Sequence, residues 1–367
     1  MQTPTTHVIR SWPYFWPPIA FVVLLASLVF HPTNAFVALA LTVVLIGVVL
    51  SAVEHAEVVA HRVGEPFGSL ILALAVTVIE VGMIVMLMLS DTSGATTLAR
   101  DTVFSATILT TNMIIGLSLV ISAGRGGLAY FNEAGAATEF SAVFVLATGT
   151  MVIPEMTKSA PEGIFSTSQL IFAALVAFMV WVAFVITQTR GHRDFFLPVK
   201  KHGEVITQTE HATRPSNRRA LVSLLLLLLS LFSVVGLSEI LSHPLEAAVK
   251  ALGMPYAMVG VMISLIVLMP ETLSAINNAR NGRTQIALNL GYGSALASIG
   301  LTIPTVGMIS LIRGMPLVLG LEPIHLALLT MTGILSILTI SQGKAMRLQG
   351  AMHLVVAASY IFLVAVP

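Results

Sequence analysis

Eleven runs of mostly apolar residues follow one another along this chain. Most are close to the length of about 20 residues that a helix needs to cross a hydrocarbon layer roughly 30 Å thick. Their approximate limits are 16–31, 34–53, 67–90, 102–123, 138–154, 167–189, 219–241, 256–277, 285–312, 321–340 and 348–366. Charge is scarce to match: 10% of the 367 residues are Asp, Glu, Lys or Arg and 56% are apolar, against roughly 25% charged in soluble domains. Such a chain cannot cover itself with a water-soluble surface, which excludes a cytosolic enzyme and any disordered or fibrous class. The pattern predicts an all-α polytopic membrane protein of about 11 transmembrane helices, with the lipid bilayer as its first partner. A net charge of +1 provides no basic surface for nucleic acid. The absence of cysteine excludes disulfides, thiolate metal sites and thiol nucleophiles.

Orientation follows from the positive-inside bias. With the N-terminus in the cytoplasm and the C-terminus outside, fourteen Lys and Arg fall in cytoplasmic loops and four (Arg100, Lys158, Lys250, Arg313) fall outside. One missed span would scramble that alternation. The one long polar stretch, residues 190–218, reads as a cytoplasmic linker.

The halves on either side of the linker resemble each other. Gly64-Glu65-Pro66-Phe67 precedes the third run and Gly253-Met254-Pro255-Tyr256 the eighth. Glu80 follows the first of these glycines by sixteen residues and Glu271 the second by eighteen, and Ser105-Ala106 and Ser294-Ala295 recur in the next run of each half. The matched elements are five helices apart. An odd offset reverses direction through the membrane, which is the inverted repeat of secondary transporters. The expected organisation is therefore an N-terminus and extra helix over 1–33, a first five-helix repeat over 34–189, the linker over 190–218, and a second repeat over 219–367.

Glu80 and Glu271 lie inside apolar runs with no Lys or Arg beside them. A charge at the centre of a bilayer costs at least about 2.5–3.5 kcal/mol on insertion scales, so such residues persist when something neutralises them. Here the neutralising partner is a proton or a cation. Competition between the two for one pair of carboxylates is the minimum device for exchange. Two carboxylates supply up to four oxygens and calcium takes six to eight, so neighbouring oxygens must supply the rest. Thr77 and Ser274 lie three residues from the glutamates on the same helical faces. Thr111, Asn112, Ser294 and Ser298 occupy the following helices. Pro270 withholds an N–H from the helix and so frees a backbone carbonyl one turn earlier.

On these residues the chain resembles the calcium/proton exchanger family of the cation/calcium exchanger superfamily, with the bacterial calcium and sodium–potassium/proton antiporters nearest. The resemblance runs over nearly the whole chain. It includes His61-Arg62-Val63-Gly64-Glu65-Pro66, Gly68-Ser69-Leu70-Ile71, Glu80-Val81, Pro270-Glu271, Asn289, Gly293-Ser294 and Pro304. It implies that Glu80 and Glu271 bind cation and proton in turn, that the antiporter exports Ca2+ in exchange for H+, that no cofactor is needed, and that the membrane is the bacterial inner membrane. The family's acidic-motif asparagine is replaced by Thr77 in one repeat and Leu268 in the other, and its Ser-Asn pair falls on Thr111-Asn112. Sodium or potassium therefore stays open as the alternative cargo. An intramembrane acid–base enzyme and a passive cation channel are remoter alternatives.

Glu54, Glu57 and His61 lie on one helical face at the polar end of the second run, where they would form a cytoplasmic vestibule or simply reach the headgroups.

Overall fold

The computed structural model describes residues 11–30, 35–63, 67–89, 95–160, 163–197, 199 and 215–367. Gly64-Glu65-Pro66 of the repeated motif, and most of the 190–218 linker, lie outside the described residues. Each of the eleven apolar runs is helical over most of its described residues. Among the described residues, nine unbroken helices are long and apolar enough to cross a membrane, and a bent pair makes a tenth span. The remaining run forms a 23-residue helix, Phe67–Leu89, which carries Glu80.

In chain order the helices are α1 (Trp12–Phe30), α2 (Ala35–Val63), α3 (Phe67–Leu89), α4 (Ala95–Ile108), α5 (Ile115–Gly126), α6 (Glu133–Ala147), α7 (Ile153–Met156), α8 (Thr167–Ile186), α9 (Asn217–Ala251), α10 (Ala257–Val267), α11 (Met269–Arg280), α12 (Thr284–Ala297), α13 (Ile303–Arg313), α14 (Pro323–Ile340) and α15 (Arg347–Ala365). Several of these are parts of one span. A π-helical turn, Leu109–Ile114, joins α4 to α5, and another, Ser298–Thr302, joins α12 to α13. Such turns add a residue to the helical ladder and re-aim the side chains around them, and they gather at functional sites. A third π turn, Thr148–Val152, joins α6 to α7.

The chain forms two compact units. The first holds residues 1–75 and 213–244 and the second holds 76–212 and 245–367. In the first unit, α1 is tied to α2 through one carbonyl: Ser51 Oγ donates to Pro13 O at 2.6 Å, and His55 Nε2 bonds the same oxygen at 3.0 Å. The Tyr14 ring meets His55 edge-on at 5.3 Å. Glu54 and Glu57 are half-buried on α2 within electrostatic reach of each other, and His61 is exposed one turn further on.

In the second unit the spans built from α4 with α5 and from α12 with α13 are the inner ones. In Thr96–Gly124, 78% of the most apolar stretch is buried, and in Thr284–Arg313 61%, while no other candidate span exceeds 44%. Small residues let these helices approach closely, as they do in membrane bundles generally. A methyl group on Gly116 of α5 would meet the Gly350 carbonyl of α15 at 2.8 Å. Ala275 and Ala279 of α11 pack with Ala287 of α12 and Ile114.

Two strand contacts complete this unit. Strand β1 (Leu128–Tyr130) pairs antiparallel with β2 (Lys344–Met346), with Ala129 opposite Ala345, and Ile164 forms an isolated bridge with Val318. β1 follows the fourth span and β2 precedes the eleventh; Ile164 follows the fifth span and Val318 precedes the tenth. Shifting every position by five helices turns one contact into the other. The structure thus repeats the internal match of the sequence, at opposite ends of the bundle.

Candidate functional site: two carboxylates of unequal surroundings

Glu80 lies fourteen residues into α3 and is 5% exposed. Its Oε1 accepts a hydrogen bond from Ser298 Oγ, the first residue of the π turn after α12. The buried hydroxyl of Thr302, one turn on, faces the same carboxylate without completing a bond. Thr77, one turn before Glu80, is also buried.

Glu271 is held differently. The eighth span breaks at Leu268, and α10 and α11 meet there at 50°. Pro270 explains the break, because it has no N–H to give to Ile266 O. α10 is anchored beforehand against α4: Ser264 Oγ donates to Thr102 O at 2.9 Å, and Gly260 packs on the Asp101 backbone. Glu271 then falls in the first turn of α11, where helix N–H groups and the macrodipole favour negative charge. Its carboxylate turns back to its own backbone N–H, and Oε2 is buried with no partner.

The two carboxylates are close enough for their charges to act on each other, and among the described residues no cationic side chain acts on either. Gly293 of α12 faces open space, and Ser294 beside it is half-buried, so the helix bearing Ser298 has room along one side. Ser274 is half-buried on α11, where its carbonyl accepts from Asn278 Nδ2 at 2.9 Å.

Thr111 and Asn112 are fully buried in the first π turn, but their bonds lead elsewhere. Thr111 Oγ1 donates to Thr107 O at 2.6 Å. Asn112 Nδ2 donates to Thr332 Oγ1 at 2.9 Å and to Ile108 O at 3.1 Å, while its Oδ1 bonds His353 Nδ1 at 3.1 Å. His353 Nε2 in turn bonds Thr339 Oγ1 at 3.2 Å. Asn112 thus clamps α14 and α15 to the fourth span. A buried His and two Thr on distant helices carry no spacing signal that a sequence reading could have used.

Two further groups of buried charge lie where loops or helix ends were expected. Residues 95–101 belong to α4, so Arg100 and Asp101 are a buried ion pair at 2.8 Å, with Arg100 also reaching Gly320 O at 3.0 Å and Glu322 at 3.4 Å. α6 starts at Glu133, capped by Asn132 Oδ1 accepting from Gly135 N at 3.0 Å. Glu139 consequently sits two turns inside the helix and is 0% exposed. The Asn-Glu pair before an apolar run was the sequence signal for that earlier start.

The profile of a family described as sodium/calcium exchanger protein matches residues 33–190 and 222–366. The chain belongs to that family. It is a multi-pass membrane cation exchanger, a transporter and not an enzyme. A Sinorhizobium fredii protein named as an ionic transporter, y4hA, is 38% identical over 100% of this chain and 99% of its own length. The sodium-potassium/proton antiporter ChaA of Escherichia coli is 33% identical over 86% of each chain. Among solved structures, that of YfkE, described as a Ca2+/H+ antiporter, superposes with a TM-score of 0.73 at 18% identity, covering 97% of this chain and 100% of its own. This last likeness speaks to the fold.

Proposed function

We propose that this exchanger is a cation/proton antiporter in which Glu80 and Glu271 bind the exported cation and the returning protons in turn. The observation that carries the reading is the pair itself: buried Glu80 and half-buried Glu271, whose Oε2 is buried, stand within electrostatic reach, and among the described residues no cationic side chain acts on either. A cation between them removes their mutual repulsion, and so does a proton on each, so occupation by one excludes the other. Loading with one divalent ion and then with two protons leaves the site's net charge unchanged. Ser298 and backbone groups around the Leu268 break are the further oxygens within the same unit, with Thr77, Ser274 and Ser294 as additional ligands. Thr111 and Asn112 act through the helices they clamp.

Calcium is the cargo we favour, exported from the cytoplasm by alternating access with the N-terminus inside and the C-terminus outside. Sodium or potassium is the second reading, favoured by the replacement of amide side chains at Thr77 and Leu268 and by the name of the 33% identical relative. The extra helix and the two five-helix repeats form the moving scaffold, and Glu54, Glu57 and His61 form the cytoplasmic vestibule.

The test is proton flux in sealed vesicles on adding calcium, sodium, potassium or magnesium in turn, for the wild type and Glu80→Gln. Calcium is expected to drive the largest flux in the wild type and none in the variant. A response to sodium or potassium alone selects the second reading, and full activity in Glu80→Gln removes the carboxylate pair from the mechanism.

A further inference from the structure

Glu139 is the most deeply buried carboxyl group whose surroundings the exchange cycle does not use. It is 0% exposed on α6, and neither of its oxygens has a hydrogen-bond partner. Within its electrostatic reach, on α12, is the hydroxyl of Tyr292, a residue also 0% exposed and also without a partner. Tyr292 Oη in turn faces Ser336 Oγ of α14, again fully buried and unbonded. The ring of Phe140 packs 5.7 Å from that of Tyr292 and closes the group on one side. Three helices therefore bring four unsatisfied oxygens together in one place. Buried polar groups in folded proteins are nearly always bonded, so a cluster of unbonded ones calls for a physical account.

We propose that Glu139, Tyr292 and Ser336 form a second proton-binding site in the membrane core, which takes up and releases one proton independently of the Glu80 and Glu271 pair. The chemistry gives the site two neutral-to-charged states with different bonds. With the proton on Glu139, the acid O–H donates to the Tyr292 oxygen and Tyr292 donates on to Ser336. With the proton gone to water, the carboxylate accepts from the Tyr292 hydroxyl, whose oxygen accepts in turn from Ser336. A proton suits four oxygens of this kind; a metal ion such as calcium takes six to eight and more charge than one carboxylate offers. Glu139 lies seven residues beyond the Asn132 cap, about 10 Å along the helix axis, which places it between the bundle's end and its centre.

Other ionisable groups on the elements packed against α6 leave the site to itself. Tyr292 is the only one on α12 and α8 has none. His325 stands at the start of α14 beside Asp101, and Arg100 and Asp101 of α4 are paired with each other. Arg193, Asp194 and Glu133 are exposed at the end where α6 begins. Tyr292 is thus the ionisable group that stands beside Glu139, and the site exchanges its proton apart from the Glu80 and Glu271 pair.

The test uses the purified full chain in lipid vesicles and infrared difference spectra between acidic and alkaline buffer, reading the carbonyl stretch of protonated carboxyl groups. One band is expected to disappear in Glu139→Gln and to persist in Glu80→Gln and Glu271→Gln. In Tyr292→Phe the same band is expected to change frequency, and its midpoint to move by about fivefold in proton concentration, the size of one lost hydrogen bond. Spectra of Glu139→Gln superimposable on the wild type, or an unmoved band and midpoint in Tyr292→Phe, would overturn the proposal. Should Glu139→Gln not fold, Tyr292→Phe decides alone, since it leaves the carboxyl in place. Retained exchange in Glu80→Gln, by contrast, would sink the ion-site reading and leave this band where it is.

Discussion

The helices that carry the two glutamates are counterparts in the repeat, yet they hold their carboxylates by opposite means. α3 runs unbroken through Glu80 and relies on a neighbour, the hydroxyl of Ser298, to bond it. The eighth span breaks just before Glu271 and relies on itself, using the N-terminal turn of α11. In the register that matches Ser105 with Ser294, the counterpart of Ser298 is Leu109, which has no hydroxyl to offer, and the hydroxyls beside it are spent on their own helix: Thr107 Oγ1 donates to Val103 O at 2.8 Å and Thr110 Oγ1 to Ala106 O at 2.7 Å. The two-fold pattern thus fixes where the acids stand, and local chemistry makes one partnered and the other open at Oε2. On the proposed function, an incoming ion would meet Glu271 with Oε2 unbonded, while at Glu80 it would share or displace the hydrogen bond from Ser298.

The strongest challenge to this comparison is to remove each charge. Glu80→Gln and Glu271→Gln are both expected to abolish ion-driven proton flux in vesicles while the purified proteins keep the wild-type elution profile. If one variant alone is silent, the acids are not a working pair. Ser298→Ala comes next. Loss of a hydrogen bond to a charged group is worth about 1.5–3 kcal/mol, so the cation concentration for half-maximal flux is expected to move by roughly 10- to 100-fold. Thr107→Val, on the counterpart helix, is expected to move it by less than about threefold, since that hydroxyl only bonds its own turn. Equal effects would show that the asymmetry has no bearing on binding.

Pro270→Ala tests the break itself. Restoring an N–H at this position allows the helix to straighten, and interior proline costs about 3 kcal/mol relative to alanine. Turnover is expected to fall several-fold, with the protein melting at a higher temperature in detergent. The smallest effect on transport is expected from Asn112→Leu. It removes the partner of His353 Nδ1 and one of the two bonds of Thr332 Oγ1 and should cost about 1–3 kcal/mol of stability, while half-saturation by cation changes less than in Ser298→Ala. A larger effect on affinity than on melting would return Asn112 to the ion site.

What the sequence made legible follows from which physical signals are local. Apolar runs of spanning length and two unpaired glutamates inside them are readable because the bilayer imposes length and solvation cost on each segment separately. The start of α6 was readable too, from Asn132 and Glu133, but a ruler laid on the apolar residues alone sets it at 138 and leaves Glu139 near the surface. Partners were not readable. Nothing along the chain distinguishes Ser298, which reaches Glu80, from Thr111, which bonds its own turn, because a π turn shifts the facing side chain and leaves no compositional mark. His353 and Tyr292 were passed over for the same reason: their value lies in what stands opposite them.

The crossed strand contacts carry a consequence for how this molecule is made. Leu128–Tyr130 finds its partner only in Lys344–Met346, some two hundred residues later. At synthesis rates of about 5–20 residues per second, the first segment leaves the ribosome roughly 10–40 s before its mate exists. During that interval its backbone N–H and C=O groups have no strand to pair with, and the interval closes only when nearly the whole chain has been inserted. Fastened this way at both ends, the inner bundle of the second unit is a late event of biogenesis.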